Sequence, residues 1–233
     1  MVAIITIDGP SGAGKSTVAR KLALILGYDY VDSGALYRIV ALKAIQQKID
    51  ENNEEELISI CKDIDVSFLI ENEKCRILYK GEDISDSIRL PEISMVASRI
   101  SARKVVRDHL TELQREMGKK GQIILEGRDA GTVVFPEAPV KFFLEASVEE
   151  RSKRRFKELK LKGINVNLDQ VTKDIIKRDS NDRSRCYAPL VPAPDAVIID
   201  SSQMTVEEVV SRMIEIIQSK KYERGSSEWI KVK

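Results

Sequence analysis

Near the N-terminus the chain reads Gly9-Pro10-Ser11-Gly12-Ala13-Gly14-Lys15-Ser16, which satisfies G-x-x-x-x-G-K-[ST], and this loop restricts the fold more than any other segment. Residues 2–7 before it are rich in β-branched side chains and read as a buried strand ending at Asp8. After it, Val18, Leu22, Ile25 and Leu26 recur at helical spacing, and Gly27 stands where a helix C-cap belongs. Strand, glycine loop and helix in that order open a parallel α/β sheet. The glycines let the backbone wrap phosphate oxygens, so that a row of N–H groups and the positive helix end face the anion. The candidates for binding a nucleoside triphosphate are Gly9, Pro10, Ser11, Gly12, Ala13, Gly14, Lys15, Ser16 and Thr17. Lys15 reaches the β- and γ-phosphates, the Ser16 hydroxyl is placed for Mg2+, and Thr17 lies nearer the α-phosphate.

The rest of the chain continues the alternation. Residues 28–31 suggest a second strand, ended by Asp32-Ser33-Gly34, with a helix over 35–47. Residues 65–70 and 75–79 read as an antiparallel hairpin around a polar turn at 71–74. Two helices follow, over 92–100 and over the segment carrying Val106, Leu110, Leu113 and Met117. Strands are expected at 122–125, 140–144 and 196–199, with a closing helix at 206–217. Residues 151–178, rich in Lys and Arg and containing Gly163, suit a helical lid. The tail, with the sole Trp229, reads as a peripheral extension.

Charge and cysteine usage exclude several partners. Lys and Arg total 38 against 37 Asp and Glu, a net charge of +1, so no general field favours nucleic acid or an anionic membrane. No apolar run approaches the ~20 residues of a bilayer span. Three unevenly spaced cysteines, Cys61, Cys75 and Cys186, fit neither a disulfide framework nor a zinc site. With no secretory signal read at the N-terminus, free thiols and a cytoplasmic location are expected. His109, at the edge of an apolar helix face, reads as structural, since one histidine makes no metal site.

A phosphate loop alone is compatible with a GTPase, a motor, a transporter ATPase or a small-molecule kinase. The sequence holds no Asn-Lys-x-Asp segment for reading guanine. It does offer Arg38, Arg107, Arg128, Arg178 and Arg185. An anionic phosphate acceptor needs such fixed guanidinium groups, because two polyanions must be held within bonding distance.

Several separated motifs then resemble one family, the bacterial cytidylate kinases of the nucleoside monophosphate (NMP) kinase group. They are IDGPSGAGKST at 7–17, DSGALYR at 32–38, EGRDAGTVVFPEAPVKFFLEAS at 126–147, RDSNDRSR at 178–185 and APLVPAPDAVIID at 188–200. The resemblance implies an α/β fold: a three-layer P-loop kinase core with a parallel sheet, an inserted NMP-binding subdomain and a short helical lid. The core would occupy 1–60, 122–150 and 179–218, the insertion 61–121, the lid 151–178 and an extension 219–233. It further implies ATP-dependent phosphorylation of CMP and dCMP, Mg2+ as cofactor, no nucleic-acid or membrane partner, and a monomer.

By the same resemblance, Ser33 and Arg38 belong to the acceptor site, with Arg38 on the monophosphate. Ser98, Arg107 and Asp129 read the base, Arg128, Arg178 and Arg185 hold phosphate, and Asp182 contacts the ribose. Lys15, Arg128, Asp129 and Arg185 form the catalytic set. Glu126 stands where some relatives carry Asp, and either carboxylate can hold a magnesium-bound water. Ser180-Asn181 replace residues that are often charged in the family. The residues by themselves leave plainer alternatives open: structural ion pairing for Arg107 and Asp129, an Asp182–Arg185 helix-surface pair worth about 0.2–0.5 kcal/mol, and a solvated Lys153-Arg154-Arg155 face. Two other functions also stay open, a broader kinase that uses UMP as well as CMP and a nucleotide-binding switch.

Overall fold

The computed structural model describes residues 4–71 and 74–223. Residues 2 and 3 of the expected first strand, 72 and 73 of the expected turn, and the tail with Trp229 lie outside the described residues. In chain order, β1 (Ile4–Asp8), α1 (Lys15–Leu26), β2 (Asp29–Asp32) and α2 (Ser33–Gln47) alternate as the periodicities require. A helix absent from the sequence reading, α3 (Glu54–Lys62), comes next. Then follow β3 (Val66–Glu71), β4 (Lys74–Tyr79), β5 (Glu82–Asp83), a 3-10 turn (Ser87–Arg89), α4 (Pro91–Ile100) and α5 (Lys104–Gly118). The chain returns through β6 (Ile123–Gly127), a π-helical turn (Ala130–Val134) and β7 (Val140–Glu145). It ends with α6 (Val148–Leu161), α7 (Leu168–Arg183), β8 (Val197–Asp200) and α8 (Val206–Glu223).

The main sheet is parallel throughout, in the order β2-β6-β1-β7-β8. Parallel strands covered on both faces read as unbroken apolar runs rather than alternating ones. That is why β1, β6 and β7 are almost entirely buried. Ile5, Ile7, Ile124, Phe142 and Leu144 meet Val18 and Leu22 of α1, Leu36 and Ile39 of α2, and Val209 and Met213 of α8 in one core. Each such side chain contributes roughly 1.5–3 kcal/mol of burial. Because every strand of this sheet points the same way, Asp8, Asp32, Gly127, Glu145 and Asp200 share its carboxyl edge, where open α/β sheets bind ligands.

Asp32-Ser33-Gly34 is not a free turn. The Asp32 side chain accepts the Ala35 N–H at 3.0 Å and caps α2, which therefore begins at Ser33. At α3, Asn53 caps the Glu56 N–H and three glutamates fill the first turn, where the helix dipole favours acids. Four of the expected boundaries fall within helices: 60 in α3, 150 in α6, 178 in α7 and 218 in α8. Arg178 and Asp182 are thus one turn apart on the same helix. The α6–α7 pair has a small apolar cluster of its own, Leu159, Val171 and Ile175. The closing helix runs on to Glu223, six residues past the expected 217. Cys61, Cys75 and Cys186 are free thiols. His109 Nδ1 lies 2.8 Å from the Val105 carbonyl of its own helix. No helix among the described residues is long and apolar enough to cross a membrane.

Candidate active site

The glycine loop turns on residues that only glycine fills comfortably. Gly12 and Gly14 adopt φ of 78° and 94°. A Cβ on Gly9 would lie 2.0 Å from the Leu144 carbonyl oxygen of β7. Gly9 therefore sets how closely the loop approaches the sheet and does not line the cleft, and neither does Pro10. The Pro10 carbonyl instead accepts the Lys15 ammonium at 2.8 Å. From outside, the loop is braced by α6. Arg151 donates to the Ser11 carbonyl at 3.1 Å and pairs with Asp179 at 2.6 Å, while Arg154 donates to the Ser201 hydroxyl at 3.1 Å and its carbonyl at 2.6 Å. Ser201 in turn donates to the Ala13 carbonyl. With outward carbonyls held this way, the loop N–H groups are left to the cleft.

One cleft of about 770 Å³ runs from this loop to α4 and α5. Ser11, Gly12, Ala13, Gly14, Lys15, Ser16, Thr17, Ser33, Arg38, Ser98, Arg107, Glu126, Arg128, Asp129, Arg178, Asp182 and Arg185 all line it. Its middle is an alternating array of charges. Arg38 pairs with Asp32 at 2.8 Å, Arg128 with Asp182 at 2.8 Å, Arg185 with Asp182, and Arg107 with Asp129 at 2.8 Å. Arg178 reaches the Ser11 hydroxyl at 3.3 Å. Asp182 and Arg185 are 4% and 8% exposed, so the pair is no solvated surface contact. Buried ion pairs of this kind cost desolvation and give little net stability.

Burial governs the titrating groups. It pushes the Lys15 ammonium down to about 7, with the Arg128 charge adding to the effect. The Arg178 guanidinium falls to about 10 for the same two reasons. Burial raises the Asp129 carboxyl despite Arg107 and Arg185. At Asp182 burial works the same way but is outweighed by Arg128 and Arg185, so that carboxyl is held low. Glu126 is raised by burial and by the Asp32 charge, and it accepts a hydrogen bond from the buried Tyr30 hydroxyl. Glu126, hydrogen-bonded to Ser16 and within the field of Asp32, offers a carboxylate to a cation. Among the described residues, however, no cluster of His, Cys, Asp or Glu makes a metal site unaided.

Asp8 is pushed from its ordinary 3.8 up to about 6, chiefly by burial. The folded chain therefore binds a proton there that the unfolded chain has released, so this contribution is full below pH 4 and lost as the pH rises through 6. Its size is about 3 kcal/mol. Urea titrations between pH 4 and 7 check this: the wild type loses stability across the window relative to Asp8→Asn, which cannot titrate.

Sequence reasoning missed Ser101, Tyr37 and Ser201. The Ser101 hydroxyl accepts from Arg185 at 2.8 Å and its carbonyl accepts from Arg107 at 2.7 Å, joining two guanidinium groups through one residue. Nothing in the spacing around a serine just past a helix end points to this. Tyr37 stacks beneath the Arg107 guanidinium at 5.4 Å, and its place in DSGALYR was the available signal.

The family model for cytidylate kinase matches residues 5–219. The chain belongs to the cytidylate kinase family. It is 52% identical over 217 residues to the cytidylate kinase of Geobacter sulfurreducens, with 93% of each chain covered. It is 47% identical to cytidylate kinase 1 of Haemophilus influenzae, covering 92% of this chain and 93% of that one. For the cytidylate kinase of Vibrio cholerae the identity is 44%, over 93% and 96%. Among solved structures, a gluconokinase from Sinorhizobium meliloti matches with a TM-score of 0.50 at 13% identity, over 96% of this chain and 98% of that one. An uncharacterized protein from Eubacterium ventriosum matches with a TM-score of 0.53 at 12% identity, over 93% and 99%. These two likenesses show the fold alone, an α/β architecture.

Proposed function

We propose that the chain transfers the γ-phosphoryl group of ATP to the 5′-phosphate of CMP or dCMP, yielding ADP and CDP or dCDP. The observation that carries this reading is that a single cleft joins the Lys15 loop, through a row of guanidinium groups, to the buried Arg107–Asp129 pair. An acceptor monophosphate oxygen attacks the γ-phosphorus while the bond to the β–γ bridging oxygen breaks and ADP leaves with that electron pair. The attacking oxygen is already ionised near neutral pH, so no strong general base is required, and the work is alignment and neutralisation of charge.

Lys15 and the loop N–H groups hold the donor phosphates. Arg38, Arg128, Arg178 and Arg185 hold the acceptor phosphate against them, and Asp182 together with Ser33 meets the sugar side. Asp129, one oxygen already bonded to Arg107, offers the other to the cytosine N4 amino group, with Ser98 beside it. Uracil would set a carbonyl oxygen against that carboxylate and is disfavoured. Ser16, and Glu126 through water, would hold Mg2+, which supplies charge neutralisation at the phosphates. The α6–α7 pair serves as the lid and 61–121 as the acceptor-binding insertion, their closure excluding the water that competes as acceptor. We place the protein in the cytoplasm, as a monomer.

The test is an assay panel of ATP and Mg2+ with CMP, dCMP, UMP, AMP and GMP in turn, following ADP release. CMP and dCMP are expected to turn over at least about 10-fold faster than UMP, in line with rejection of a partner that leaves a buried polar group mismatched. Equal rates with UMP would indicate a broader pyrimidine kinase, and turnover with AMP or GMP alone would exclude the assignment.

A further inference from the structure

Asp8 closes β1 one residue before the glycine loop and is 3% exposed, yet the reaction just described gives it no part. Its position beside the loop suggests a role toward the donor. Its bonds point the other way. Oδ1 accepts the Ala130 N–H at 2.8 Å and Oδ2 accepts the Gly131 N–H at 2.7 Å. Lys15, although within its field, bonds to the Pro10 carbonyl instead. Ala130 and Gly131 open the π-helical turn that directly follows Arg128 and Asp129. The first N–H groups of such a turn have no partner within it, and a carboxylate is the side chain able to accept two of them at once.

We propose that Asp8 is a positioning residue for the acceptor: by holding the Ala130 and Gly131 N–H groups it fixes the turn that aims Arg128 at the monophosphate and Asp129 at the base. Next to these bonds the turn is also fixed by contact, through Thr6 two residues earlier on the same face of β1. A Cβ on Gly131 would lie 2.8 Å from Thr6 Oγ1 and 3.2 Å from the Lys141 side chain. That Thr6 hydroxyl is buried without a hydrogen-bond partner, so removing it breaks no bond. The turn therefore rests on one face of β1, bonded at Asp8 and in contact at Thr6, and separate variants alter the bonds and the contact.

The inference rests on the CMP kinase reading, and its test separates the two. Asp8→Asn replaces one acceptor oxygen by an NH2 group that opposes an N–H. It is expected to raise KM for CMP about 10-fold and to narrow the preference for CMP over UMP, while KM for ATP stays within about 2-fold. Gly131→Ala, which leaves the charge near Lys15 untouched, should give the same acceptor-selective defect. Thr6→Ala alone should leave turnover unchanged, and combined with Gly131→Ala it should restore CMP use. If Asp8→Asn does not fold, the Gly131→Ala and Thr6→Ala pair decides by itself. An ATP-selective defect in Asp8→Asn, or a Gly131→Ala variant that is unaffected or not rescued, would overturn the inference while leaving the activity standing. A wild type that does not phosphorylate CMP would sink both.

Discussion

Lys15→Met is expected to cost about 10³-fold in kcat, in keeping with the loss of a preorganised charge at a phosphoryl group, while the protein melts no lower than the wild type. The two halves of that result have one cause. The Lys15 side chain is 6% exposed, and its ammonium has a single carbonyl partner at 2.8 Å and lies near the Arg128 charge, so its protonated form is disfavoured in the empty cleft. A donor triphosphate supplies the missing counter-charge, which makes the lysine far more valuable to the complex than to the free fold. Methionine has similar reach and volume and brings no buried charge. Steady-state rates and a thermal melt on the same preparation check both halves. More than a tenth of wild-type turnover, or a fall in melting temperature, would argue against this account.

Arg185→Ala is expected to lower kcat/KM for CMP by about 10²- to 10³-fold, with KM for ATP changed by less than about 3-fold. Arg185 lies toward the Arg107 end of the cleft: it bonds the Ser101 hydroxyl at 2.8 Å and pairs with Asp182, and Ser101 also carries Arg107. Its removal leaves Asp182 with Arg128, so no carboxylate is orphaned, and the loss falls on the ligand and not on the fold. Initial rates with each substrate varied against saturating levels of the other separate the two constants. Unchanged use of CMP would remove Arg185 from the site.

Where local rules act alone, the sequence was a reliable guide to this fold. The β1–α1 unit follows from an apolar run, obligatory glycines and a 3.6-residue period, and β6 and β7 are legible as short buried runs for the same reason. What escaped depends on contacts between distant segments. The π-helical turn at Ala130–Val134 has no helical periodicity of its own. It exists because Asp8 takes two of its N–H groups and Arg115, on α5, donates to the Val133 carbonyl at 2.8 Å and to the Val134 carbonyl at 3.0 Å. The α3 helix was obscured because the signal of its three buried residues, Leu57, Ile60 and Cys61, is diluted by a run of glutamates. At the cleft, the arginines stood out as residue types, but which carboxylate each one meets was set by the tertiary fold. Ser101 shows this best, since its importance comes from meeting Arg107 and Arg185 and not from any motif.

The strand order has a consequence for how this polypeptide comes off the ribosome. β1 is made first but lies at the centre of the sheet, and its partners are β6, beginning at Ile123, and β7, beginning at Val140. Until the chain has emerged as far as Ile123, the apolar β1 has no sheet neighbour on either side. The antiparallel β3–β4–β5 ribbon needs only adjacent residues, so it can close long before the strands that flank it in sequence. A nascent chain stalled short of β6 therefore displays β1 as an apolar strand unpaired on both edges, one stalled between β6 and β7 leaves it unpaired on one, and completion of β7 is the point at which that hazard ends.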